Sequence, residues 1–183
     1  MSADREAMQR VQRGDEAALG ELMHTWEQPV KRLLARIVLN ARDAEELAQE
    51  TFVRVWTQRE KFHADAEFRP WLFSIAVNLA RNRLRWWRRR PSISLHEWSE
   101  TREMEEERSE RGAAALEQAE RAAAVRAAIA ALPVELREVV VLSEYEQLSH
   151  AEIASALGTT AKAVESRLYR AREKLRGALR RWV

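Results

Sequence analysis

The chain of 183 residues contains no cysteine. That excludes disulfides, thiol nucleophiles and thiol-based sensing within it, and makes a reducing cytoplasm the expected setting. It has only five glycines and four prolines. Sheet proteins punctuate their strands with such residues, so their scarcity beside abundant Ala, Leu, Glu and Arg argues for helices. No apolar run approaches a membrane span, because Arg126 interrupts even the alanine-rich tract at 122–132. The start, MSADREAMQR, lacks the apolar stretch of a secretory signal. There is no glycine-rich phosphate loop and no serine-centred elbow. His24, His63, His96 and His150 are scattered without metal-ligand spacing. No metal, no cofactor and no catalytic site are therefore expected.

What is present is charge in blocks. Residues 1–90 carry 17 basic against 13 acidic side chains, residues 91–120 carry 3 against 9, and residues 121–183 carry 11 against 7. Two mildly basic blocks thus flank an acidic connector. Residues 81–90 hold six arginines and no acid, and residues 160–183 hold eight basic groups against two acidic. Basic segments set in otherwise balanced domains are the footprint expected for a nucleic-acid partner.

Residues 148–172, LSHAEIASALGTTAKAVESRLYRAR, read as two short helices joined by a tight turn. Ser149 and Glu152 have capping-box spacing, Gly158 suits a left-handed helix end, and Thr160 suits the next cap. Val164, Leu168, Ala171 and Leu175 form a buried stripe. The opposite face carries Lys162, Glu165, Ser166, Tyr169, Arg170 and Arg172. This is the pattern of a helix-turn-helix whose second helix enters a major groove. A packed helical hairpin is the plainer alternative.

Earlier in the chain the periodicity predicts a short helix at 4–13, a long one at 15–39 around Pro29, and another from Ala44 to about Glu60, capped by Asp43. A further helix is predicted from near Phe68 to about Arg89. Residues 91–112 lose the pattern and read as a linker. Helix resumes at about Ala113, and Val134–Tyr145 reads as one helix burying Leu136, Val139, Val140 and Leu142. In residues 62–90, Phe62, Phe68, Trp71, Phe73, Trp86 and Trp87 interleave with arginines. Such a mixture suits phosphates together with unpaired bases. Phe73 and Ile75 are expected in the core, while for Trp71 core packing and base stacking stand level.

The segments DAEELAQETFVRVW (43–56), FHADAEFRPWLFSIAVNLARNRLR (62–85), LPVELREVVVLSEYEQLSHAEIASALG (132–158) and AVESRLYRAREKL (163–175) occur in an order that resembles the extracytoplasmic-function group of bacterial sigma factors in the sigma-70 family. The resemblance implies an all-α chain of two small helical domains, residues 1–90 and 113–183, joined by the acidic flexible linker 91–112. It also implies a non-catalytic protein that binds core RNA polymerase and directs it to promoter DNA. Asp43, Glu46, Gln49 and Glu50 would dock on polymerase. Phe62, His63, Asp65 and Asn78 would capture a flipped −10 base, with Trp71 assisting melting and Arg81, Arg85 and Arg88 holding phosphates. Glu165, Ser166, Tyr169 and Arg170 would face the −35 groove, with Lys162 and Arg167 near its backbone, and Arg170 as the guanine reader.

The resemblance further implies an anti-sigma factor, a cytoplasmic location near the membrane without insertion into it, and a connector that holds the two DNA readers apart along polymerase. Glu165 departs from the Lys or Arg of many members, and Trp86–Trp87 matches no family motif. The acids of the linker suit a polymerase groove made for nucleic acid and equally suit folding back on the two basic domains of the free protein. A stand-alone helix-turn-helix regulator and a helical adaptor remain the competing readings.

Overall fold

The computed structural model describes residues 2–63, 65–89 and 113–182. The expected linker, 91–112, lies outside them. The described residues form eight α-helices and no strand. The first half contains α1 (Ala3–Gln12), α2 (Glu16–Val38), α3 (Ala41–Thr57) and α4 (Phe68–Arg88), with a 3₁₀ turn at Arg59–Lys61. The second contains α5 (Ala113–Ala130), α6 (Val134–Val140), α7 (His150–Leu157) and α8 (Ala161–Ala178). α6 runs on into a π-helical turn, Val141–Tyr145.

Local chemistry sets most of these boundaries. Asp15 caps α2 by accepting from the Ala18 amide at 3.1 Å. α2 continues through Pro29. Pro70 sits in the first turn of α4, where a missing N–H costs nothing. The cap of α3 differs from expectation. Asn40, not Asp43, accepts the capping bond, from the Asp43 amide at 2.8 Å. The helix therefore begins one turn early, and the Asp43 side chain is free to turn inward.

Each helix buries one stripe. Met8, Leu22, Leu34, Phe52, Phe68 and Phe73 lie in the first half, and Val139, Leu142, Ile153 and Leu168 in the second. These stripes join one continuous core. α7 packs on α4, and α6 with its π turn packs on α2. The two halves are thus in contact in the chain alone. Burial of whole aliphatic and aromatic side chains, each contributing roughly 1.5–3 kcal/mol, is what holds this arrangement together.

Candidate nucleic-acid interface

α8 is built as its sequence pattern requires. The Ser149–Glu152 capping box forms in both directions, with the Ser149 amide donating to the Glu152 carboxylate at 2.8 Å. The same contacts hold the Glu152 carboxyl below its ordinary range, through the Ser149 hydroxyl first and its amide second. Gly158 ends α7 at φ +62°, a conformation that strains any side chain. Thr160 then accepts from the Ala163 amide at 3.2 Å and starts α8. Val164, Leu168 and Ala171 turn inward.

Lys162, Glu165, Ser166, Tyr169 and Arg170 are exposed, and Arg167 is half-buried. Tyr169 is 67 % exposed, far beyond what a core aromatic shows. Ser166 spends its hydroxyl hydrogen on the Lys162 carbonyl at 3.0 Å, leaving its oxygen only as an acceptor toward a ligand. Beside this face, Arg172 pairs with Glu144 at 3.1 Å.

The first half holds a second group. Phe62 is 2 % exposed, with its ring edge-on to Phe68 at 6.2 Å and to Trp71 at 5.2 Å. It is a core residue of the segment expected to capture the −10 base, and its ring packs inward in this structure. Trp71 is half-buried, packed by one part of its ring on this aromatic cluster. His63, Asp65, Asn78, Arg85 and Arg88 are exposed. α1 braces the segment that carries His63 and Asp65. The Gln12 amide donates to the carbonyls of Arg59 (3.0 Å) and Phe62 (2.8 Å), and Arg5 pairs with Glu67 at 2.6 Å.

Arg81 is not available to phosphate here. Its guanidinium forks onto the Glu138 carboxylate, with Nε donating to Oε1 at 2.9 Å and Nη2 to Oε2 at 2.7 Å, and Nη1 reaches the Leu157 carbonyl at 3.4 Å. Glu138 raises the Arg81 pKa further above its ordinary value. The phosphate contact expected of Arg81 is taken by Glu138 in this conformation.

The acidic face of α3 also differs from its expected form. Asp43 is buried, ion-paired to Arg83, and accepts from the Trp87 indole N–H at 3.0 Å. It joins α3 to α4 and is not displayed at the surface. Glu46 is exposed beside Arg83 at 3.2 Å and Arg42 at 3.4 Å. Gln49 is exposed, and Glu50 pairs with Arg54 at 3.0 Å. Between α3 and α4 lies a groove of about 630 Å³ lined by Glu46, Glu50, Arg54, Asn82, Trp86 and others. Trp87 thus has a packing and hydrogen-bonding role, with Trp86 set edge-on to it at 5.1 Å and 41 % exposed.

Three residues that matter here escaped the sequence reading: Gln12, Arg137 and Glu138. Arg137 is buried, yet it donates to the carbonyls of Ile37 (2.7 Å), Ala130 (2.7 Å) and Leu132 (2.9 Å). Burial lowers its pKa from the ordinary arginine value. A signal existed for the last two. Arg137 and Glu138 interrupt the apolar run from Leu136 to Leu142, and charges there need partners. Among the described residues no three His, Asp or Glu side chains cluster as metal ligands, and no helix is long and apolar enough to cross a membrane.

Two family models match the chain: Sigma-70 region 2 over residues 22–90, and Sigma-70, region 4 over residues 122–175. The chain is 33% identical to the RNA polymerase sigma-H factor of Pseudomonas aeruginosa over 180 residues, covering 96% of this chain and 93% of that one. It is 33% identical to the RNA polymerase sigma factor NccH of Alcaligenes xylosoxydans xylosoxydans, covering 97% and 95%. It is also 33% identical to the ECF RNA polymerase sigma-E factor of Escherichia coli K12, covering 94% and 92%. Among solved structures, CnrH in complex with the cytosolic domain of CnrY is similar over the whole of both chains, with a TM-score of 0.72 and 29% identity. The sigma factor RpoE of Bartonella quintana, solved with the anti-sigma factor NepR, shares the fold at a TM-score of 0.65 and 20% identity, over 88% of this chain and 96% of that one.

Proposed function

The chain belongs to the extracytoplasmic-function group of the sigma-70 family, and from that premise we propose a division of labour along it. It is a sigma factor, binding core RNA polymerase and directing initiation to particular promoters. Residues 1–90 form the part that docks on polymerase, reads the −10 element and assists melting. Residues 113–183 form the −35 reader. The observation that carries this division is that the exposed polar and aromatic side chains of α8 and α4 fall inside the two matched segments.

On α8, Tyr169 and Arg170 reach base edges, and Lys162 and Arg167 hold the backbone. A guanidinium bonds guanine O6 and N7 together, which makes Arg170 the guanine reader. Glu165 accepts from cytosine N4 in place of a phosphate contact. On the first half, His63, Asp65 and Asn78 surround the flipped −10 base, and the exposed part of Trp71 offers a stacking surface. Arg85 and Arg88 hold phosphates. Glu46, Gln49 and Glu50 meet basic groups of polymerase, giving orientation and on-rate more than raw affinity. Asp43 sets the angle of that face through Arg83 and Trp87.

None of these roles requires catalysis by the chain. Its regulator is an anti-sigma factor, the class of partner seen with Bartonella quintana RpoE. The chain works in the cytoplasm, held near the membrane when that partner is membrane-linked.

Run-off transcription with core polymerase on a genomic fragment library tests the whole reading. Transcripts from a shared promoter pattern, only when chain and core are both present, are expected. Tight sequence-specific duplex binding by the chain alone would instead favour a stand-alone regulator, and no dependence on DNA would favour an adaptor.

A further inference from the structure

α1 (Ala3–Gln12) precedes the segment 22–90 matched by the region 2 family model and carries none of the roles proposed above. It is nevertheless firmly anchored. Met8 and Val11 are wholly buried. Arg10, in its last turn, donates to Asp15 at 2.9 Å and to Glu21 on α2 at 3.0 Å. From this fixed support two side chains, Arg5 and Gln12, reach the connection between α3 and α4, 47 to 62 residues further along the chain.

Gln12 is half-buried, and its amide donates to the Arg59 carbonyl at 3.0 Å and to the Phe62 carbonyl at 2.8 Å. Helix ends leave carbonyls without partners inside the helix, and these two stand in and just after the 3₁₀ turn that follows α3. One carboxamide has two N–H groups, so a single side chain satisfies both acceptors and fixes their spacing. On the far side Arg5 pairs with Glu67 at 2.6 Å. That pair is partly exposed and contributes little by itself. Between the two contacts stand His63 and Asp65, both exposed, and the Ala66 amide closes a turn onto the His63 carbonyl at 2.9 Å. Phe62 and Phe68 are buried on either side of them. The exposed pair is thus borne by a short segment held from α1 at both ends.

We propose that Gln12 is a positioning residue for −10 recognition: by holding the Arg59 and Phe62 carbonyls it keeps His63 and Asp65 where the flipped base meets them. The inference rests on the reading of His63 and Asp65 as part of the −10 pocket. Gln12 itself touches no DNA in this role. A pocket that selects one base needs its polar groups fixed to within about half an ångström. Without the strut, the exposed segment samples other conformations. Apparent affinity for the preferred base then falls with the competent fraction, whereas affinity for the other bases, which do not use the pocket, stays the same.

The test uses holoenzyme assembled from core polymerase and the full chain, with a promoter fragment recovered by run-off transcription. Its −10 and −35 windows are randomised in separate pools, and the bound fractions are sequenced. Q12E keeps the shape of the side chain but has no N–H to donate, and Q12A removes the carboxamide altogether. Both should weaken the preference at the flipped −10 position by about three- to tenfold and leave the −35 preference unchanged. Q12K restores a donor in place of the amide and should retain most of the preference, which lost packing alone does not predict. Circular dichroism melts set a temperature at which every variant is folded, and a ratio of bound sequences does not depend on how much of the chain is active. An unchanged −10 preference in both Q12E and Q12A would overturn the proposal. So would an equal loss in the −35 pool, the mark of general loosening. H63A and D65A distinguish failure of the underlying reading. If they weaken the −10 preference while Q12E and Q12A do not, the positioning role alone falls; if they too leave it intact, the reading falls and the proposal with it.

Discussion

Arg81 on α4 and Glu138 on α6, 57 residues apart in sequence, form a two-pronged ion pair at 2.7–3.1 Å with the carboxylate almost wholly buried. Removing one partner strands the other. R81M should therefore destabilise the packed halves by about 1–3 kcal/mol, the cost of an unpaired buried group. The cost stays below that of a fully interior pair because Arg81 is 27 % exposed and parting of the halves lets water reach Glu138. R81M/E138M should recover most of the loss, since an apolar pair of similar volume is close to neutral. Urea midpoints of the wild type and these two variants decide it. An unchanged midpoint in R81M would show that the pair contributes nothing.

Phe62 and Trp71 touch ring to ring but differ in burial, and their truncations should differ accordingly. F62A should cost about 3–5 kcal/mol, as for any large core aromatic. W71A should cost less, about 1–3 kcal/mol, and should also slow promoter opening while sparing closed-complex binding. Thermal melts report the first effect and permanganate footprinting of the melted region the second. Equal stability losses with no change in opening would place Trp71 wholly in the core.

Asp43 and Glu50 lie two turns apart on α3 with different expected roles. D43N weakens the bonds to Arg83 and to the Trp87 indole and should lower stability by about 1–3 kcal/mol. E50Q touches only an exposed pair with Arg54, worth at most a few tenths of a kcal/mol. It should melt like the wild type yet associate more slowly with core polymerase. Stopped-flow association at two salt concentrations checks this, because an electrostatic on-rate effect shrinks as salt rises.

R170A should lose about 1–3 kcal/mol of base discrimination at a single −35 position. Selection from a randomised −35 window with the assembled holoenzyme reads this directly. Loss spread evenly over all positions would mean that Arg170 holds phosphate. E165A applied to the same pool should relax preference for cytosine at one position.

The Ser149–Glu152 box makes a pH prediction. The folded pKa of Glu152 is depressed, so its contribution is complete above the ordinary glutamate value of 4.5 and is lost as pH falls through the folded value. Asp15 behaves alike, held down first by the Ala18 amide and then by Arg10. E152Q should therefore show a shallower loss of thermal stability on acidification than the wild type, the two curves converging at low pH. A steeper loss in E152Q would contradict the assignment.

Sequence periodicity carried the helices, the helix-turn-helix and the exposed face of α8, because those depend on neighbours three or four residues apart. Ser149, Glu152, Gly158 and Thr160 act within a turn or two, and their roles could be read before any fold was known. The start of α3 could not. Asn40 and Asp43 are both good caps, and the choice between them was settled by Arg83 and Trp87, 40 and 44 residues further along.

The same limit governs the site. Exposure of Tyr169 and Arg170 followed from the stripe opposite Val164 and Leu168, so a local pattern was enough. Whether Arg81 faces solvent, phosphate or Glu138 is decided by a helix from the other half, and nothing within reach of residue 81 along the chain encodes it. The sequence alone determined which segments are helical, which faces are polar and to which family they belong. Only the tertiary structure decided which of the many arginines are displayed and which are consumed, because a charge is assigned by the partner that desolvates it, and that partner arrives from far away in the chain.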